Sequence, residues 1–192
     1  LKNLTNKLIN ILAPLFSILL ITLFLPGLFF ISILIFICDG RPIIFRSKRV
    51  GYLGKEFELY KFRTMINSNQ DDKFRITKLG RFLRRSSLDE IPQLFNILKG
   101  EMLFVGPRPM PIDLLLDVKY KRYFIRRSNV KPGLTGLAQI YSSGLPRSLS
   151  EKLIYDLLYI KKKSIFFDLL IIFFTFKTLK KRFFVNKLGI SL

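Results

Sequence analysis

Between Leu8 and Cys38 the chain carries no charged side chain. As a straight helix this run of about 30 residues would reach about 45 Å, at about 1.5 Å per residue. The hydrocarbon core of a bilayer is about 30 Å thick, so the run is too long for one upright span and too short for two. Pro26-Gly27 falls near its middle, and a proline there removes a backbone hydrogen bond and bends a helix. Lys2 and Lys7 precede the run, and Arg41, Arg46, Lys48 and Arg49 follow it. If basic flanks stay cytoplasmic, both ends lie on one face. A bent helix that enters and leaves the same face fits, and so does a tilted signal-anchor helix. A cleaved signal peptide fits poorly, because the apolar region is too long and lacks a small-residue cleavage site. Cys38, inside the apolar run, reads as a small buried hydrophobe.

Beyond residue 40 the period changes. Residues 42–45 and 57–62 are strand-like, and Gly51 and Gly54 bracket a turn between them, which predicts a β-hairpin within 41–65. The polar stretch 66–80 reads as a loop. From Ser87 to Leu98 the spacing is helical, with Ile91, Leu94, Phe95 and Leu98 as a core-facing stripe. Gly106-Pro107-Arg108-Pro109 forms a stiff turn, residues 112–127 read as a helix, and Pro132 to Gly136 is another turn. Helical patterns resume near Ser150. Ile165 to Phe176 is apolar except for Asp168 and Thr175, and Lys177, Lys180, Lys181 and Arg182 follow. That segment is short for a span and suits an interfacial helix. It also offers a surface on which a homodimer can form.

Composition sharpens the picture. Hydrophobic residues make up 49% of the 192 residues, and 33 Lys and Arg against 13 Asp and Glu give a net charge of +20. Nucleic-acid binders are basic but seldom this apolar, so nucleic acid is not an expected partner. A chain that rests on anionic lipid and binds phosphorylated ligands has reason to be both. Orientation by the positive-inside rule alone is the simpler alternative. The absence of His and the single Cys38 exclude imidazole-assisted nucleophiles, intrachain disulfides and thiolate zinc clusters. Chemistry must use carboxylates, hydroxyls, Lys, Arg or Tyr, and a metal would take oxygen ligands, favouring Mg²⁺ or Mn²⁺.

Most of the acids, such as Asp39, Glu56, Glu58, Asp71, Asp72, Asp113 and Asp117, sit beside turns or in polar runs and read as solvated. Asp89-Glu90 differs, standing at a helix start behind Arg81, Arg84 and Arg85. Two readings fit. In a capping box, Ser87 and Glu90 satisfy free backbone amides and the acids complement the helix dipole, although Pro92 would then fall past the first turn. Alternatively the helix N-terminus and the arginines receive a phosphate, an ionised Asp89 attacks phosphorus, and Glu90 holds a Mg²⁺. Arg108, between two prolines, is either a loop salt bridge or a preorganised phosphate clamp.

The segment from Arg84 through Ser87-Leu88-Asp89-Glu90-Ile91-Pro92-Gln93-Leu94 to Met102, running into Val105-Gly106-Pro107-Arg108-Pro109, closely resembles the signature of the bacterial sugar transferases, the small monotopic phosphoglycosyl transferases. Arg46-Ser47-Lys48-Arg49-Val50-Gly51, Tyr60-Lys61-Phe62-Arg63-Thr64-Met65, Lys131-Pro132-Gly133-Leu134-Thr135-Gly136 and Asp156-Leu157-Leu158-Tyr159-Ile160 extend the resemblance over nearly the whole chain. It implies transfer of a sugar-1-phosphate from a UDP-sugar to a polyprenyl (undecaprenyl) phosphate through a covalent phosphosugar on Asp89. It associates Glu90, with Asp89, with Mg²⁺, and places Lys61, Arg84, Arg108 and Asp156 around the substrate. The family's Asn-Gly-Arg-like stretch is replaced by Tyr141-Ser142-Ser143-Gly144, with Arg147 as the substrate-binding candidate there. Leu25 stands where Ser often precedes the helix-bending proline, and Leu137 where Trp is usual. The expected fold is α+β and mainly helical: a re-entrant membrane helix over 1–40, then a catalytic domain over 41–192 with a small hairpin and interfacial amphipathic helices. The expected location is the cytoplasmic face of the bacterial inner membrane. A basic membrane-surface binding module and an inactive paralogue are the alternatives.

Overall fold

The computed structural model describes residues 2–66, 71–115, 118–141 and 148–187. The fold is mainly helical with small sheets. Helix α1 spans Lys2–Asp39 with Pro14 and Pro26 inside it. It is the one helix among the described residues long and apolar enough to cross a membrane. One stripe of α1 faces the rest of the protein. Ala13 joins a core cluster with Phe57, Leu59, Leu94, Ile97 and Met102, while Leu28 and Ile35 join a second with Phe62 and Leu83. Ser17, fully buried on that stripe, donates from Oγ to the Leu94 carbonyl at 2.7 Å. The opposite face exposes large apolar side chains, Leu15, Leu19, Leu23 and Phe30 among them. Cys38 is exposed. The expectation of a buried thiol fails because position 38 falls off the packed stripe.

The predicted hairpin forms. Strands β1 (Ile44–Val50) and β2 (Glu56–Phe62) pair antiparallel, with Leu53 and Gly54 at positive φ in the connection. A two-residue strand β4 (Met110–Pro111) adds to the other edge of β1. The outer edge of β2 is met by Asn96, fully buried, which accepts from the Tyr60 amide at 3.1 Å and donates to the Glu58 carbonyl at 2.6 Å. Its Nδ2 also reaches Glu101 at 2.7 Å.

The expected loop over 66–80 is corrected among the described residues. A short helix α2 (Asp72–Arg75) forms, and α3 (Lys78–Ser86) begins behind Thr77. Thr77 Oγ1 caps the Gly80 amide at 2.8 Å, and Leu83 is buried. The expected single helix from Ser87 is also corrected. A 3₁₀ helix, Leu88–Gln93, precedes α4 (Leu94–Leu98), and Pro92, which has no N–H to donate, sits in the 3₁₀ part. The change of helix type shifts the phase of the stripe. Leu94 and Ile97 are buried, whereas Phe95 and Leu98 are exposed.

Strand β3 (Leu103–Val105) pairs in parallel with β5 (Gly133–Thr135). At this crossing a Cβ on Gly133 would stand 2.0 Å from the Gly106 nitrogen, so the backbones meet at a distance only glycine permits. Helix α5 (Val118–Arg127) follows a 3₁₀ turn at Ile112–Leu115, and α6 (Leu137–Tyr141), α7 (Leu149–Lys162) and α8 (Ile165–Lys187) are the remaining described helices. Tyr159 of α7 is buried and donates to Asp168 Oδ1 at 2.8 Å, which ties α7 to α8.

Candidate active site

Arg84 lies in the last turn of α3, and the chain turns sharply at Ser87, which adopts a left-handed conformation at φ 58°. Ser87 makes no side-chain cap bond. The Glu90 amide is instead satisfied by the Ser87 carbonyl at 3.2 Å. The capping-box geometry is therefore not formed, and the Glu90 carboxylate turns toward the hairpin. Lys61, near the end of β2, donates from Nζ to Glu90 Oε1 at 2.6 Å, and Arg108 Nη2 approaches the same oxygen at 3.5 Å. Asp89 is 7% exposed. Burial pushes its carboxyl above the usual range, Lys61 and Arg84 oppose the shift, and the Glu90 charge adds to it.

Arg84 is itself held, its Nε donating to Thr64 Oγ1 at 2.8 Å. The helix can come so close because residue 80 is glycine. A Cβ there would lie 2.1 Å from the Thr64 carbonyl oxygen. Lys61, Arg84, Asp89, Glu90 and Arg108 are thus brought together from β2, α3, the 3₁₀ helix and the proline-flanked turn.

Asp156 stands behind this group rather than in it. It is 1% exposed on α7 and accepts from Arg127 Nε at 2.8 Å. Arg127, buried on α5, also donates from Nη2 to the Arg108 carbonyl. Burial pushes the Asp156 carboxyl up and the Arg127 guanidinium down, and their mutual attraction opposes both shifts. Asp156 and Arg127 therefore brace the backbone of Arg108. Arg127 escaped the sequence reading because it sits in a run of basic residues that looks solvated. Arg147 lies outside the described residues.

The pocket over Glu90 is lined by Arg49, Lys61, Gln93, Arg108 and Gln139. Gln93 is buried, and Arg49 is half-buried. The two adjacent carboxylates are a sparse oxygen donor set, and no group of three or more Asp, Glu or Cys side chains gathers among the described residues. A Mg²⁺ held by these two carboxylates would need waters and substrate oxygens to complete its shell.

The bacterial sugar transferase family model matches residues 2–182, and the chain belongs to that family. It is 40% identical over 174 residues to a UDP-glucose:undecaprenyl-phosphate glucose-1-phosphate transferase of Klebsiella pneumoniae, covering 83% of this chain and 37% of that protein. It is 43% identical over 142 residues to an uncharacterized sugar transferase, EpsL, of Bacillus subtilis, covering 71% of this chain and 69% of that protein. An N-acetylgalactosaminephosphotransferase of Aeromonas hydrophila that uses undecaprenyl phosphate is 33% identical over 85% of this chain and 41% of its own length. The match thus spans only 37% and 41% of the length of these two relatives named for a substrate.

Proposed function

We propose that the chain transfers a sugar-1-phosphate from a UDP-sugar to undecaprenyl phosphate, with Asp89 as the nucleophile. The observation that carries this reading is a buried Asp89 beside a Glu90 oxygen on which Lys61 and Arg108 converge. In the first step an Asp89 oxygen bonds to the sugar-linked phosphorus, the bond to the bridging oxygen breaks, and UMP departs. In the second, an oxygen of the acceptor phosphate attacks the same phosphorus, and Asp89 is released with the polyprenyl-diphosphate sugar as product. Phosphoryl transfer of this kind needs positioning and charge neutralisation above all. Burial strips water from the Asp89 carboxylate, and the Lys61 and Arg84 charges favour its ionised form. Lys61 and Arg108 neutralise substrate phosphate, and the Asp156–Arg127 pair fixes where Arg108 stands. Asp89 and Glu90 are the residues that would hold a Mg²⁺, which supplies further neutralisation of the diphosphate.

The exposed apolar face of α1 associates the chain with a membrane. Both halves of α1 pack on the same domain, through Ala13 and Ser17 and through Leu28 and Ile35. That contact supports a helix that stays with the domain on one face of the membrane, as a re-entrant helix does. Helix α8, with Phe166, Leu169 and Phe173 exposed and lysines at both ends, suits the interface, and the cytoplasmic leaflet is where a UDP-sugar is met.

Intact-protein mass spectrometry tests the chemistry. Detergent-solubilised protein is incubated with Mg²⁺ and a panel of UDP-sugars without acceptor. The expected result is a mass gain of one phosphosugar that Asp89→Asn abolishes. Neither adduct nor product with any donor, acceptor included, would sink the reading.

A further inference from the structure

The register of the hairpin pairs Arg49 with Phe57, Ser47 with Leu59 and Phe45 with Lys61. Residues opposite one another on an antiparallel pair share a face, so Arg49 lies on the face that carries buried Phe57 and Leu59 and the site residue Lys61. An arginine on the covered face of a central strand calls for an explanation. Arg49 Nε donates to Ser47 Oγ at 3.2 Å, and the side chain lines the same pocket as Lys61, Glu90 and Arg108. The charges around this pocket have an order. Asp89 feels Lys61, Glu90 and Arg84, and Glu90 contacts Lys61 and Arg108. Arg49 feels Arg108 and Asp113. Arg49 lines the pocket with Lys61, Glu90 and Arg108, and Asp89 is not among the residues that line it. Two arginines line this one pocket, and burial together with the Arg108 charge pushes the Arg49 guanidinium down, Asp113 opposing. An anion bound there would relieve the mutual repulsion.

We propose that Arg49, with Arg108, clamps the phosphate of the departing nucleoside monophosphate, while Lys61 and Arg84 serve the phosphorus that Asp89 attacks. The inference rests on the transferase reading above. When the bond between the sugar-linked phosphorus and the bridging oxygen breaks, its electron pair stays on that oxygen and negative charge builds on UMP. A forked guanidinium matches two of the phosphate oxygens that receive the charge. Arg49 therefore acts in the first step and in its reversal by UMP, and contributes little to transfer from the loaded enzyme to the lipid.

UMP is titrated by calorimetry into the full chain in detergent with Mg²⁺, beside Arg49→Gln, Arg49→Lys and the control Arg46→Gln, whose side chain projects from the other face of β1. The expected result is UMP affinity weakened at least tenfold by Arg49→Gln and several-fold by Arg49→Lys, with Arg46→Gln like the parent. In parallel, adduct formation from UDP-sugar should slow at least tenfold in Arg49→Gln. Discharge of preformed adduct to polyprenyl phosphate should change less than twofold. Unchanged UMP affinity in both Arg49 variants, with normal adduct formation by the parent, would overturn the clamp alone. Equal slowing of both steps would also overturn it, pointing to a structural role. No UMP binding by the parent and no adduct would overturn the transferase reading together with it.

Discussion

Burial pushes the Asp89 carboxyl up, and Lys61 and Arg84 pull it back. On the proposed reaction Asp89 attacks as the ionised carboxylate, so adduct formation should fail as pH drops through this raised value, at a higher pH than an exposed aspartate would set. Arg84→Gln removes one opposing cation, so the acid limb of a pH–rate profile should move to still higher pH. The stability sign is the reverse. A carboxyl whose pKa is higher in the folded than in the unfolded chain favours folding when protonated. Its cost is fully felt above the folded value and fades as pH falls through it. Asp89→Asn should therefore raise the thermal midpoint at neutral pH while cutting turnover more than about a thousandfold, the pattern of a residue kept for chemistry. A midpoint that falls would mean that Asp89 is chiefly a structural acid.

At the scale of elements, the brace between α5 and α7 separates stability from positioning. Asp156→Ala leaves the buried Arg127 charge without its partner and should cost about 3–5 kcal/mol, read by denaturant unfolding. Replacing both by apolar residues, Arg127→Met with Asp156→Leu, should recover most of that loss. Turnover should stay low, because nothing then holds the Arg108 carbonyl. Recovery of activity with stability would show that the pair serves packing alone. How much of this arrangement the sequence discloses depends on how local its causes are. The hairpin is legible because alternation and two glycines act within 20 residues of one another, and Asp89-Glu90 because paired acids behind arginines are conspicuous. The 3₁₀ geometry is less so, since Pro92 announces a break but the left-handed Ser87 does not. Helix α3 is hidden by a polar surface over one buried face. The parallel pairing of β3 with β5 rests on strands of three residues each, too short for a period to register. Arg49 and Arg127 look like members of basic runs until strand register and burial single them out.

For the molecule as a whole, α1 is both a membrane element and part of the core. Ala13, Leu28 and Ile35 complete two clusters whose other members come from β2, α3, α4 and the Met102–Leu103 stretch, and the Ser17 hydroxyl satisfies the Leu94 carbonyl. Removal of residues 1–39 should therefore yield aggregated protein rather than a soluble catalytic domain, as sedimentation would report. A monodisperse, cooperatively unfolding truncation would show instead that the contacts of α1 are dispensable. The same contacts bear on synthesis. The ribosome delivers α1 first, while Leu59, Leu94 and Met102 emerge later. At about 5–20 residues per second, roughly 3–13 s separate the end of α1 from Leu103. Through that interval the stripe from Ala13 to Ile35 has no protein to cover it, so lipid is its natural guardian. Lipid must then give way as β2 and α4 arrive, which makes insertion and folding of this chain successive claims on one helix face.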